Sequence, residues 1–393
     1  MTDASKLRDL ESRYTMPTYL RAGVEFVRGE GARLWDSDGK EYLDFFAGLS
    51  VHNAGHCHPR IVAAITEQAS RFNGSSNLYL SAPALRLAER ISQSSLGGKV
   101  FLTNSGAEAS ECAIKLVRKH AHGRGIETPR IVSLDGGFHG RTLGALAATP
   151  KLADDGRFGP LPQGFDAVPR DDPEALRAAI GSDTAAVMIE PIQGEAGIFP
   201  IGDEMLVAAR EACDETGALL VLDEVQSGMG RTGSLWAYEQ LPVEPDLMTA
   251  AKALGGGLPV GAVVTTPDLA ETFEPGDHGT TFGGGPVAAS AALAALQVID
   301  DEELLENVRE QGSSLVDGLG AIAGVEEVRG RGLMVGLTVA EGLDAPAVRD
   351  RCLEAGLVLN CPGPGMLRLL PPLMVTGDEI ERGIGIIGRC LSP

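Results

Sequence analysis

Short apolar runs alternate with stretches of helical periodicity from residue 58 to about residue 298, and this alternation restricts the fold more than any other feature. The runs 100–103, 131–134, 186–189, 219–222, 247–250 and 261–265 read as strands. The segments 59–71, 84–92, 107–120, 204–215 and 286–298 read as helices. The runs are apolar at nearly every position, so both sheet faces must be covered, as in a mostly parallel sheet flanked by helices. The expected fold class is α/β.

The flanks have a different texture. After an irregular opening segment, 27–46 reads as a small meander around the turn Asp36-Ser37-Asp38-Gly39. Beyond Asp301 come a helix (303–319), a glycine-containing stretch (325–339), a helix (345–355), strands near 357–359 and 366–370, and a terminal helix (378–391). The expected organisation is a large domain over 58–298 and a smaller α+β unit over 299–393, which the N-terminal segment 1–57 joins.

Composition removes several classes of function. A net charge of −21 argues against nucleic acid, because phosphate contacts need clustered Lys and Arg. No run is long and apolar enough for a membrane span, and no secretory leader is evident, so a cytoplasmic location is expected. Of 33 basic residues only seven are lysine (Lys6, Lys40, Lys99, Lys115, Lys119, Lys151 and Lys252). An acidic, lysine-poor surface suits a protein working in molar salt, and a salt-accumulating source is the corresponding hypothesis. The six cysteines form no close pair, and structural thiols are expected.

In that background two charged residues stand out. Asp223 ends the apolar run 218–222, and Lys252 ends the run 247–251 ahead of Ala253-Leu254-Gly255-Gly256-Gly257. Neighbouring strands that end this way deliver both side chains to one crevice. A carboxylate keeps a pyridine nitrogen protonated, and an amine opposite it joins an aldehyde. Pyridoxal phosphate (PLP) requires both groups from its protein.

Other motifs admit two readings each. Asn104-Ser105-Gly106-Ala107-Glu108 leads from a strand into a helix, as either a plain cap or a phosphate site. Gly136-Gly137-Phe138-His139-Gly140-Arg141 is either a packed turn or a stacking ring beside a carboxylate-binding fork. In Glu190-Pro191-Ile192-Gln193-Gly194-Glu195, two acids just past a strand are either solvated or paired with an arginine. Gly228-Met229-Gly230-Arg231-Thr232-Gly233 matches a dinucleotide fingerprint, but its glycines lie too far beyond the strand. His52, His56, Cys57 and His58 lack metal-ligand spacing, and no metal is expected.

Taken together with Asp223-Glu224-Val225-Gln226, Lys252 to Gly257 and His278-Gly279-Thr280-Thr281-Phe282, these motifs resemble class III PLP-dependent aminotransferases. The match is closest to the acetylornithine aminotransferase branch, including relatives acting on carrier-protein-linked ornithine or lysine. It runs from about residue 28 to the C-terminus, with motifs in matching order. The resemblance implies PLP transferase fold type I and a homodimer with shared active sites, with PLP joined to the Lys252 nitrogen. Asp223 would pair with the ring nitrogen, Phe138 would stack on the ring, and Gln226 would meet its phenolic oxygen. His139 and Glu190 belong to the cofactor site by the same resemblance. Ser105, Gly106 and Ala107 would hold the phosphate, with Thr281 of the neighbouring subunit. Arg141 and Thr280 would bind the donor's α-carboxylate end. Arg368 would take the carboxylate of 2-oxoglutarate, and Glu195 would pair with Arg368 in the other half-reaction. Two residues depart from the family pattern: Gly285 replaces an asparagine, and His52 replaces a small or amide residue.

The implied activity moves the terminal amino group of N-acetylornithine, or of carrier-linked ornithine or lysine, to 2-oxoglutarate. Competing enzymatic readings are ornithine or 4-aminobutyrate aminotransferase and glutamate-semialdehyde aminomutase, which needs no external keto acid. A PLP-sensing module without catalysis would bring a DNA-binding domain and a basic surface, and a purely structural acidic protein would purify colourless.

Overall fold

The computed structural model describes residues 4–153 and 155–392. Its centre is a seven-stranded sheet in the order Val100–Thr103, Gly261–Thr265, Leu247–Ala250, Leu219–Asp223, Thr184–Ile189, Arg130–Leu134, Phe165–Val168. All are parallel except Gly261–Thr265, which is antiparallel to both of its neighbours. The strands Thr184–Ile189, Leu219–Asp223 and Leu247–Ala250 are buried at every position, which is why they are apolar throughout rather than alternating. The edge strand Phe165–Val168 and the helix Pro173–Ala179 had no strong signal, being short and half-exposed.

Helices cover both faces. Gly106–Gly123 starts where the Ser105 hydroxyl accepts the Glu108 N–H at 3.2 Å, and it buries Ala109, Cys112, Ala113, Leu116 and Val117 at helical spacing. Pro286–Asp301 opens on Gly285, which caps without a side chain, and packs against Pro59–Arg71 and Ala82–Gln93.

The smaller α+β unit draws on both ends of the chain. The N-terminal strands Phe26–Glu30, Arg33–Asp36 and Glu41–Asp44 pair in series, and Leu357–Val358 adds to them in parallel. A second sheet runs Val325–Arg331, Met334–Val339, Met366–Leu369, Asn360–Gly363. The terminal helix Gly377–Leu391 begins with a reciprocal cap, Thr376 Oγ accepting the Glu379 N–H and Glu379 the Thr376 N–H. The opening segment differs from expectation: Ala4–Tyr14 is helical, with Leu7, Leu10 and Tyr14 at helical spacing.

One stretch is conformationally costly. Ala47, Gly48, Leu49 and Ser50 all have left-handed φ, between 46° and 67°. For the three residues with a Cβ this costs about 1–2 kcal/mol each, so the surroundings must hold the turn in place. Asp44 does so locally, its Oδ1 accepting the Phe46 and Ala47 N–H groups at 2.8 and 2.9 Å. No described helix is long and apolar enough to cross a membrane.

Candidate active site

Parallel strands deliver their following loops to the same sheet edge, and five such loops converge here. They follow Thr103, Leu134, Ile189, Asp223 and Ala250, and they surround a cavity of about 230 Å³. Gly106 and Ala107 line one end, Phe138 and Arg141 its mouth, and Glu190, Glu195, Asp223, Gln226 and Lys252 its floor and walls.

Asp223 is buried and tightly held. Its Oδ2 is 2.8 Å from His139 Nδ1, while Oδ1 accepts the Thr249 hydroxyl and the Val225 N–H, both at 3.1 Å. Burial disfavours a charged His139, but its contact with Asp223 prevails and raises the imidazole above its usual pKa. The Ser110 hydroxyl donates to the His139 carbonyl, and Thr149 Oγ accepts the His139 N–H, so the ring cannot drift. His139 thus sits behind the carboxylate and fixes its orientation. Thr249 pairs with Asp223 across adjacent strands and was missed from sequence, where it looked like one hydroxyl in an apolar run.

Lys252 has left-handed φ (49°) and opens the turn Lys252–Gly255, directly after a buried strand. It keeps some surface open to the cavity, yet it lies deep in the protein. That depth pushes its ammonium below the usual lysine pKa, against the pull of Glu195, Glu190 and Asp223. Glu190 accepts the Phe138 N–H at 2.8 Å and the Gly194 N–H at 3.3 Å. Burial pushes its carboxyl up to about 7.

Arg368, on the strand Met366–Leu369, is 2% exposed and lies behind the cavity wall, against its lining residues Glu195 and Gln226. Its Nη1 donates to Glu195 Oε1 at 2.6 Å and to the Gly194 carbonyl at 2.9 Å, and Nη2 to Asn360 Oδ1 at 2.8 Å. Its Nε is buried without a hydrogen-bond partner. Burial raises Glu195, but Arg368 outweighs it and holds that carboxyl below its ordinary value. Gln226 lies 3.4 Å from both partners, between Glu195 and Arg368. Asn360 gave no signal in the sequence, being embedded in a Pro/Gly-rich hairpin.

Ser105, Thr280, Thr281 and His52 do not line this cavity. Ser105 caps the helix behind Gly106. Thr280 takes the Asn104 side-chain N–H at 3.1 Å, and Thr281 beside it is exposed on the surface. His52 stacks near His56 at 4.4 Å, and His56 pairs with Asp44 at 2.6 Å. Among the described residues no group of three or more His, Cys, Asp or Glu is placed to hold a metal.

The residues present fit PLP. A buried carboxylate, a buried amine and a helix N-terminus share one cavity, and a Cβ on Gly106 would sit 2.8 Å from Val225, so that backbone has room only as glycine.

The sequence profile of the aminotransferase class-III family matches residues 16–391. The chain is a class III aminotransferase. The acetylornithine aminotransferase of Caldanaerobacter subterraneus is 46% identical over 387 residues, covering 97% of this chain and 98% of that protein. In structure, the aminotransferase superposes on the ornithine aminotransferase of Toxoplasma gondii with TM-score 0.95 at 32% identity, covering 100% and 95% of the two chains. The N-acetylornithine aminotransferase of Stenotrophomonas maltophilia gives TM-score 0.84 at 39% identity, covering 98% of each. The aminotransferase is thus a PLP-dependent transaminase of fold type I, as the motifs imply.

Proposed function

We propose that this enzyme moves the terminal amino group of N-acetylornithine to 2-oxoglutarate, giving a semialdehyde and glutamate within arginine biosynthesis. The Glu195–Arg368 pair at the cavity carries the reading. An acceptor with a second carboxylate needs a guanidinium to receive it, and Arg368, paired with the cavity-lining Glu195, would supply one when Glu195 releases it. A donor without that carboxylate is served by leaving Arg368 on Glu195. The names of the similar proteins support the acetylated donor.

PLP, when bound, supplies an aldehyde for amine exchange and a ring that takes up electrons from the carbon bearing nitrogen. Asp223, steadied by His139 and Thr249, holds the proton on the ring nitrogen. Lys252, its ammonium destabilised by burial, is the base that takes the proton from the donor carbon. Gly106 and Ala107, at the helix N-terminus that Ser105 caps, would offer N–H groups to the phosphate, and Phe138 would cover the ring. Arg141, exposed with its guanidinium 5.6 Å over Phe138, would receive the donor's α-carboxylate end, and Thr280, outside this chain's own cavity, would join it only across a subunit contact. Gln226, held between Glu195 and Arg368, would meet the phenolic oxygen of the ring.

The proposal extends to assembly. Thr281 is exposed and does not line this chain's cavity, beside Phe282 at 78% exposure, and Leu78 and Leu80 are about as exposed. Such an apolar face suits a homodimer in which Thr281 completes the partner's phosphate site. The division into 1–57, 58–298 and 299–393, cytoplasmic location and adaptation to high salt are parts of the same reading. A carrier-linked ornithine or lysine, and hence lysine biosynthesis, is the competing donor class.

A donor panel of acetylornithine, ornithine, acetyllysine and carrier-linked ornithine with 2-oxoglutarate, scored by glutamate release, tests this. Acetylornithine should lead. Free ornithine ahead of every blocked donor overturns the donor assignment, and turnover without keto acid reveals an aminomutase.

A further inference from the structure

Among the described residues, Arg231 is the largest charged side chain buried without an acidic partner at hydrogen-bonding distance. It is 0% exposed, and all four of its acceptors are neutral. Nε donates to Ser50 Oγ at 2.9 Å, Nη2 to Asn53 Oδ1 at 2.5 Å, and Nη1 to the Leu333 and Pro371 carbonyls at 3.1 and 2.5 Å. Burial pushes its guanidinium down to about 9, with only Asp44 opposing. A buried charge of this kind is unfavourable for stability by itself, so its geometry calls for another explanation.

The four acceptors come from three separate segments, and each borders the acceptor side of the site. Pro371 follows the strand that carries Arg368, and Leu333 precedes the strand whose Gly336 pairs with Arg368. Ser50 ends the left-handed turn, and its hydroxyl lies 3.4 Å from the Gln226 carbonyl. Asn53 donates to the Met229 carbonyl at 2.8 Å. The flanking glycines permit this approach. A Cβ on Gly230 would meet Leu373 at 2.7 Å, one on Gly233 would meet Arg309 at 2.8 Å, and one on Gly332 would meet Thr232 backbone at 2.7 Å. Gly230 and Gly233 of the dinucleotide-like motif, both at positive φ, thus serve close packing beside Arg231.

We propose that Arg231 is a positioning residue that locks the strand of Arg368 and the Ser50 turn onto the Gln226 segment, setting where Arg368 meets the keto-acid acceptor. This rests on the reading that Arg368 receives the acceptor's carboxylate. Arg231 touches neither substrate nor cofactor. A point-charge lysine cannot span acceptors on three segments, so the fork is the required feature.

The test uses PLP-loaded enzyme carrying Arg231→Lys or the milder Ser50→Ala, each alone and with Arg368→Ala. Binding of glutarate, a dicarboxylate that does not react, is measured by calorimetry, and the two half-reactions are followed separately by cofactor absorbance. Misplacing Arg368 should raise the glutarate Kd and the keto-acid KM on the order of tenfold or more, with the donor half-reaction nearly unchanged. On the Arg368→Ala background the same substitutions should add nothing further. Equal losses in both half-reactions, or the same rise on that background, overturn the proposal. If Arg231→Lys does not fold, Ser50→Ala decides between the same outcomes. Whether wild-type enzyme saturates with 2-oxoglutarate or another keto acid tests the function separately, and the ratios are read with whichever acceptor it uses.

Discussion

In the proposed mechanism Lys252 serves as anchor and base at once, so its loss cannot be compensated by neighbours. Lys252→Ala should lower turnover by about 10²–10⁴-fold or more, the range for a positioned proton-transfer group. Borohydride reduction followed by peptide mapping should label the Lys252 peptide in wild type, and labelling elsewhere would remove the assignment. Glu190 makes a pH prediction. Burial raises its carboxyl from the ordinary 4.5 to about 7, so the folded state prefers the neutral acid. That preference stabilises the fold fully below the unfolded value and is lost as pH rises through about 7. Glu190→Gln removes the titration along with one N–H acceptor. The variant should be the less stable at about pH 5, and its deficit should shrink by about pH 8. Urea midpoints at both values check this, and a deficit that widens with pH contradicts the raised carboxyl.

The helix Gly106–Gly123 shows how an element can serve stability and binding at its first turn. Ser105→Ala removes the acceptor for the Glu108 N–H and should destabilise by about 1 kcal/mol in urea melts. Because the same turn leads into Gly106 and Ala107, which line the cavity and are proposed to hold the phosphate, PLP affinity should weaken as well, measured by cofactor release on dialysis; unchanged affinity would leave Ser105 only a cap. The elements with one dominant period were legible from sequence: buried strands with no alternation, and helices opening on Ser, Pro or Thr. The strand Phe165–Val168 and the helix Ala4–Tyr14 were not read, the first for its mixed exposure and the second for its predominantly polar composition. Asp223 and Lys252 were legible because charge at the end of an apolar run has few structural uses. Arg231 was not, since a fork buried by carbonyls from distant segments leaves no local pattern. His139's place behind Asp223 likewise depends on two strands meeting.

At the scale of the whole molecule, charge is the dominant unsolved load: 54 acidic residues against 33 basic give −21. Many arginines are committed to local pairs, as Arg130 is between Asp166 and Asp183 at 2.5 and 2.8 Å. Others stack, as Arg170 and Arg329 do on Phe199, with guanidinium carbons 3.9 and 4.1 Å from the ring centre. Arginine suits both uses better than lysine, in keeping with the few lysines. Exposed pairs contribute at most about 1 kcal/mol each and are screened by salt, whereas the excess of like charge repels across the entire surface. Raising ionic strength from about 0.1 M to 1 M shortens the screening length from about 10 Å to about 3 Å, which suppresses the long-range repulsion more than the contact pairs. The urea midpoint should therefore rise from dilute buffer to molar KCl, and mass measured by light scattering should match the proposed dimer over the same range. A midpoint that falls with KCl would mean that the surface pairs outweigh the excess charge, and adaptation to high salt would be withdrawn.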